Sequence, residues 1–351
     1  MILIDIHSKF GEIGVHGIHC SNPGKAAGEH AGANPDLLLN FIRPEVRQRY
    51  ERRPELLGAE IASHPALPQR KLPLVLLDEV QRVPELVNVV QDLIDRRAAQ
   101  FLLTGSSARK LRRGRDTNWL TGRLVPLRLD PLTLAERTPP TLEEALLTGS
   151  LPGIVSVDDD AAREQDLRAY STLYLEEEIR AEALVRNLGQ FSRFLQLAAL
   201  ESGGISHFRG LALEPRYLFF DLGVRRAAAE EGRRLPPRVL GGLFEQFVGL
   251  EFIRLGRQAQ PEVQVQFWRD PDGPEVDWVL TRENRCLPVE VKWSDAPTAA
   301  DARHLVTFQS EHRSARHGLV VCRAAKRFQL ARGIVALPWH EIPAVIEEFL
   351  G

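Results

Sequence analysis

Hydrophobic positions along this chain switch between two periods. LVLLDEV, Leu74 to Val80, is a continuous apolar run meeting two acids, the pattern of a strand buried on both faces of a parallel sheet. QFLLTGSS, Gln100 to Ser107, is a second such run, ending in small polar residues. Between them PELVNVVQDLIDRR places Leu86, Val89, Val90 and Leu93 at helical spacing, with Pro84 near the start. Strand, helix, strand predicts a βαβ unit, so residues 70–135 read as α/β. Upstream, EVRQRYERRPELL reads as a charged helix carrying Pro54. ILIDI, Ile2 to Ile6, reads as a short strand ahead of a Gly- and His-rich stretch that shows no clear period up to residue 33.

Further on, TLEEALLTGSLPG and the long segment from Ala161 to Gly204 carry the 3.6 period and predict a helical middle segment. PRYLFFDLGVRRAA reads as a short strand followed by a helix, and LGGLFEQFVGLEFIRL as a further helix. The tail alternates VQVQFWRD, EVDWVLTR and CLPVEVKW, then a polar helix from about 299, then HGLVVCR and GIVALPW. That pattern predicts a second α/β domain. The expected organisation is an unassigned segment 1–34, an α/β core 35–138, a helical extension 139–214 and a C-terminal domain 215–351. No internal repeat or low-complexity tract interrupts it.

Composition narrows the class. At 351 residues, 44% hydrophobic and 26% charged, the chain has enough apolar residues for more than one core. A formal net charge of −2 gives no global attraction to nucleic acid, so any such contact must be local. The three cysteines, Cys20, Cys286 and Cys322, have no C-x-x-C spacing, which argues against a thiolate zinc site and fits a reducing compartment. No signal peptide or membrane span is legible, and a cytoplasmic protein with no membrane partner is expected.

The first candidate chemistry lies at the ends of the two apolar strands. In P-loop ATPases a strand-end Asp faces magnesium and a following Glu orients the attacking water; Asp78 and Glu79 stand at that place. Thr104 and Ser106 end the next strand, where such enzymes hold a polar residue toward the γ-phosphate. Arg123, just after a glycine in LTGRLVPLRLDPLTLAE, could approach a phosphate; its ordinary reading is a solvated loop arginine.

LVLLDEVQRVPEL, FLLTGSSARKLRRG, LTGRLVPLRLDPLTLAE and YLEEEIRAEALVRN, in this order, resemble the AAA-type ATPases of bacteria and archaea that end in a domain of unknown function with a nuclease-like core. The resemblance covers roughly residues 35–351. It implies an incomplete P-loop AAA-type parallel sheet, a helical middle and a restriction-endonuclease-like α/β domain. It also implies ATP and Mg2+ as cofactors, nucleic acid as a partner and assembly into a homo-oligomer. Asp78 and Glu79 would then be Walker B, Thr104 or Ser106 the sensor, and Arg123 an arginine finger.

Two departures stand against a full site. The family opens with a strand and G-x-x-x-x-G-K-[ST], whose N–H groups cradle phosphates. The only Gly-Lys in the N-terminal region is Gly24-Lys25, with His19 where the first glycine belongs and Ala26 where the magnesium-binding hydroxyl belongs. The stretch ESGGISHFRGLALEPRY is also too short for the winged-helix-like segment usual there. Impaired ATP binding is expected.

The second constellation is in the tail. EVDWVL and LPVEVKW carry Asp277, Glu290 and Lys292 in the order D…E-x-K of the PD-(D/E)xK nucleases. Alternate residues of a strand share a face, so Glu290 and Lys292 point one way while Val289 and Val291 point to the core. Asp277 and Glu290 could share Mg2+ or Mn2+, with Lys292 orienting or activating water, and Glu245 on the preceding helix would add a further acid. The bland alternative is a solvated strand face that alternates charges. The basic run Ala108 to Asp116 reads first as a solvated loop, and Trp293 and Trp339 as packing residues. Three classes follow: an ATPase acting on nucleic acid, a metal-dependent nuclease, and a non-catalytic interaction module.

Overall fold

The computed structural model describes residues 2–6, 35–63, 72–105, 125–174, 187–204, 216–270 and 273–351. They form two compact units, one of the described residues up to Asp130 and one from Pro131 onward.

The first unit is built on a five-stranded sheet of β1 (Ile2–Ile6), β2 (Leu37–Asn40), β3 (Leu74–Asp78), β4 (Gln100–Gly105) and β5 (Val125–Leu129). Every pairing is parallel, in the order β2-β3-β4-β1-β5. Val75, Leu76 and Leu77 of β3 are buried, as a strand covered on both sides requires. The short strand at the start of the chain lies between β4 and β5, with Ile4 level with Thr104 on one side and Leu127 on the other.

Helix α1 (Pro44–Arg52) and helix α2 (Leu56–Ser63) occupy the segment that reads as one charged helix. Pro54 divides it. A proline clashes with helical backbone in the residue before it, and Arg53 lies outside the helical region at φ −146°, ψ 70°. Helix α3 (Leu86–Asp95) crosses from β3 to β4 and buries Leu86, Val90 and Leu93 against a core that includes Phe41, Tyr50, Leu57 and Phe101.

The second unit begins with helices α4 (Leu142–Thr148), α5 (Asp160–Ala169), α6 (Leu188–Leu200) and α7 (Leu222–Ala228). Asp221 caps α7 by accepting from Val224 N–H at 3.0 Å, and its other oxygen accepts from Ser150 N–H at 2.7 Å. The strand expected just before α7 is reduced to a single bridge at Arg216. Helix α8 (Pro237–Arg257) follows, then β6 (Gln264–Arg269), β7 (Glu275–Arg282), β8 (Arg285–Val291), helix α9 (Arg303–Glu311), β9 (Gly318–Cys322), β10 (Phe328–Ala331), β11 (Ile334–Pro338) and helix α10 (Ile342–Leu350). The sheet order is β10-β11-β9-β8-β7-β6, parallel at β8–β9 and β9–β11 and antiparallel elsewhere.

Alternation along β7 and β8 gives this sheet two dry faces. Trp278, Leu280, Val289 and Val291 pack with α8 and α10, while Val279 and Val320 pack with Leu305 and Phe308 of α9. The architecture is therefore mixed α/β throughout, a parallel sheet first and a mixed sheet with helices last.

Candidate functional site

In the first unit the parallel strands deliver Asp78 and Thr104 to the same edge of the sheet. The Thr104 hydroxyl donates to the Asp78 carboxylate and accepts from Glu79 N–H at 3.2 Å. Glu79 is 5% exposed and left-handed at φ 58°, a conformation costing a non-glycine residue on the order of 1–3 kcal/mol. Its carboxylate accepts from Gln81 Nε2 at 2.7 Å and faces Arg82 Nε at 3.6 Å. The two adjacent acids thus have separate partners, Asp78 across the sheet and Glu79 in the turn Val80–Arg82. Ser106 and Arg123 lie outside the described residues, as do His19, Gly24, Lys25 and Ala26.

In open α/β sheets ligands bind beyond the carboxyl ends of the strands where the strand order reverses. The order here reverses around β1, so a phosphate loop would follow Ile6. The sequence there is HSKFGEIG, with no Gly-Lys-[Ser/Thr], and Gly24-Lys25 comes well after it. Among the described residues the strand-end acid Asp78 is engaged by Thr104, and the sequence after Ile6 carries no Gly-Lys-[Ser/Thr].

The second site is assembled by α8, β7, β8 and Arg216. Between the pairs Gln266↔Val279 and Trp268↔Val276, two residues of β7, Asp277 and Trp278, stand opposite the single residue Phe267 of β6. That is a β-bulge, which bends a strand and re-aims a side chain. The β7–β8 ladder stops at Trp278↔Val289, and the Asp277 carboxylate instead accepts from Val291 N–H at 2.8 Å.

Helix α8 is held against the bulge by Trp278. A β-carbon on Gly249 would stand 2.2 Å from Trp278 Cζ2, so only glycine admits the indole. The indole N–H donates to the Glu245 carbonyl at 3.0 Å, one helical turn earlier.

The electrostatics follow from burial. Asp277 and Glu290 are 9% and 4% exposed, which removes the solvated-strand reading. Burial first and the Asp277 charge second raise Glu245 and Glu290 to about 7, against the lowering pull of Arg216 on Glu245 and of Lys292 on Glu290. Burial also raises Asp277, opposed by the Val291 N–H and the charges of Lys292 and Arg216. Lys292 Nζ donates to Glu290 Oε1 at 2.6 Å. Burial alone would lower the Lys292 ammonium, but the bond to Glu290 and the Glu290 and Asp277 charges hold it above its usual value. Among the described residues Glu290 Oε2 is buried with no hydrogen-bond partner.

Arg216 is the member that the sequence pattern did not single out. Its Nη1 donates to Glu245 Oε1 at 2.5 Å and approaches the Asp277 carbonyl at 3.5 Å, and its guanidinium lies 5.5 Å from the Phe267 ring centre and 5.3 Å from that of Trp278. No spacing rule links it to an acid on another element; only the adjoining aromatic YLFF hinted at a buried segment.

The structure thus brings together Glu245, Asp277, Glu290 and Lys292. The donor set is hard oxygen, of the kind suited to Mg2+ or Mn2+, and Glu290 Oε2, without a hydrogen-bond partner among the described residues, is the oxygen free to hold such an ion. Among the described residues no three His, Cys, Asp or Glu side chains are grouped to hold one ion. Asp277 and Glu290 are the fitting pair, with Glu245 occupied by Arg216.

Residues 27–138 match the family described as an AAA domain. Residues 139–231 match one domain of unknown function (DUF8612), and 240–342 another (DUF4143). An uncharacterized protein of Mycobacterium tuberculosis and one of Mycobacterium bovis are each 22% identical over 322 residues, covering 77% of this chain and 69% of the relative. The first part of the chain is AAA-type ATPase-like. Among the described residues no helix is long and apolar enough to cross a membrane.

Proposed function

We propose that this chain is an AAA-type ATPase-like protein that acts on nucleic acid through a metal-dependent phosphodiesterase site in its C-terminal domain. The observation that carries the reading is the buried pair Asp277 and Glu290, with one unpartnered carboxylate oxygen and Lys292 held alongside. A divalent cation held by Asp277 and Glu290 would supply Lewis acidity at a phosphate oxygen.

The remaining work falls to the chain's own groups. Lys292, held beside Glu290 at 2.6 Å, is placed to stabilise negative charge on a phosphate oxygen or to orient the attacking water. Trp278 and Gly249 set the position of α8, and through it Glu245, relative to β7.

For the first domain the reading is a nucleotide-type scaffold with impaired ATP binding. Magnesium and ATP are what the AAA match implies, Asp78 and Thr104 are the residues nearest that role, and no hydrolytic step is assigned to Glu79. Arg123 as an arginine finger and a homo-oligomeric assembly belong to the same proposal.

Nicking of supercoiled plasmid by the full chain tests it. Mn2+-dependent relaxation is expected, lost in Glu290→Gln and reduced on the order of a hundredfold or more in Lys292→Ala. No cleavage at high protein concentration with either Mg2+ or Mn2+ would overturn the phosphodiesterase reading. It would leave the non-catalytic interaction module.

A further inference from the structure

The C-terminal site holds three acids and two cationic side chains, and the cations do not serve the acids alike. Lys292 is bonded to Glu290, Arg216 to Glu245, and Asp277 leans on a backbone N–H. Arg216 is far from a mobile surface arginine. Its side chain is 12% exposed, two aromatic rings flank the guanidinium, and Nη1 reaches both Glu245 and the Asp277 carbonyl. A guanidinium stacked in this way is held in place by its planar faces as well as its charge.

Placement and charge together restrict what Glu245 can do. With Arg216 present the five groups sum to one negative charge when all are ionised; without it, to two. Glu245 Oε1 is already taken by Arg216 Nη1 at 2.5 Å, and among the described residues no three-acid group is formed. We propose that Arg216 is a positioning residue that withholds Glu245 from the donor set, so that Asp277 and Glu290 take one divalent cation instead of three acids taking two. This rests on the metal-site reading above.

Arg216 comes from outside the stretch 240–342 that matches a family, while Glu245, Asp277, Glu290 and Lys292 all lie inside it. The segment leading into α7 therefore supplies the group that sets the metal number of the domain that follows.

Counting free Mn2+ by electron paramagnetic resonance during titration of the full chain tests this without any activity assay. The unsubstituted protein should bind one Mn2+. Arg216→Gln should bind a second, or bind the first about tenfold more tightly, the scale of removing one nearby like charge. The double variant Arg216→Gln with Glu245→Gln should return to one ion at the original affinity. Glu245→Gln alone should keep one ion, weakened by no more than about tenfold, the same single-charge scale, and it remains informative if Arg216→Gln does not fold. An unchanged count and affinity in folded Arg216→Gln, loss of the ion altogether in Glu245→Gln, or two ions in the unsubstituted protein would each overturn the proposal and leave the metal-site reading standing. No Mn2+ bound by the unsubstituted protein would sink both.

Discussion

The Asp277 carboxylate accepts a hydrogen bond from Val291 N–H at 2.8 Å, at the point where the ladder between their strands ends. One side chain thus does two tasks. It satisfies a backbone donor that would otherwise be buried unpaired, and it places negative charge beside Glu245 and Glu290.

Separating those tasks gives a first prediction. Asp277→Asn keeps an acceptor for Val291 N–H and removes the charge, so stability should stay within about 1 kcal/mol. Asp277→Ala leaves the N–H unpaired and should cost about 1–3 kcal/mol. Denaturant midpoints measure both. A rise in Tm on adding Mn2+, expected because the ion binds the folded state, should be absent in both variants.

A second prediction concerns the seat of α8. Gly249→Ala brings a methyl into the Trp278 ring, and overpacking of this kind costs about 1–3 kcal/mol or more. Gly242 lies on the same helix with nothing within 4 Å of an added β-carbon, so Gly242→Ala should be neutral or stabilising by up to about 1 kcal/mol. Equal effects of the two substitutions in urea unfolding would show that Trp278 does not set this contact.

How far the site was legible in the sequence depends on how local each signal is. The apolar run ending in Asp78 identified β3, because burial on two faces leaves a mark in consecutive residues. ILIDI was legible as a strand, yet its place between β4 and β5 was not, since parallel partners are chosen by the whole sheet. Asp277, Glu290 and Lys292 were found by order and alternation. The bulge that aims Asp277 left no such mark, because it is a mismatch between two strands and not a property of either. Arg216 was missed for the same reason: its partner Glu245 lies on α8, and only folding brings them to 2.5 Å. The run carrying Pro54 reads as one charged helix, and the structure divides it into α1 and α2 because a proline disfavours helical backbone in the residue before it.

A third prediction uses the ion pair between α5 and α7. Arg226 is fully buried and bonded through both terminal nitrogens to Glu164, at 3.1 and 2.6 Å. The Arg226 hydrogen bonds hold the Glu164 carboxyl below its ordinary 4.5, against the opposing pull of burial. A depressed carboxyl stabilises the fold above its unfolded pKa and loses that contribution as pH falls through the folded value. Glu164→Gln should therefore cost about 1–3 kcal/mol at neutral pH, because Arg226 keeps its bonds to the Leu147 and Glu231 carbonyls but loses its charged partner. The gap to the unsubstituted protein should narrow as pH drops below 4.5, toward the folded pKa. Urea midpoints at pH 7 and pH 3.5 measure this. A gap that is constant with pH would mean packing, not charge, carries the effect.

The last prediction concerns nucleotide. In a reversing parallel sheet the phosphates of a bound nucleotide sit beyond the strand around which the order turns, here β1. Affinity at such a place comes chiefly from backbone N–H groups and a lysine on the phosphates, and HSKFGEIG after Ile6 encodes no such motif. What remains is Asp78, already bonded to Thr104, and a magnesium ion held by one carboxylate and water is weakly bound. Isothermal titration of the full chain with magnesium-ATP should therefore give no binding tighter than about 1 mM, and Asp78→Ala should leave that result unchanged. Thr104 keeps its bond from Glu79 N–H in that variant, so the fold should survive the substitution. Micromolar binding that disappears in Asp78→Ala would reverse the conclusion, placing magnesium at Asp78 and requiring another segment of the chain, or a neighbouring copy, to supply the phosphate contacts.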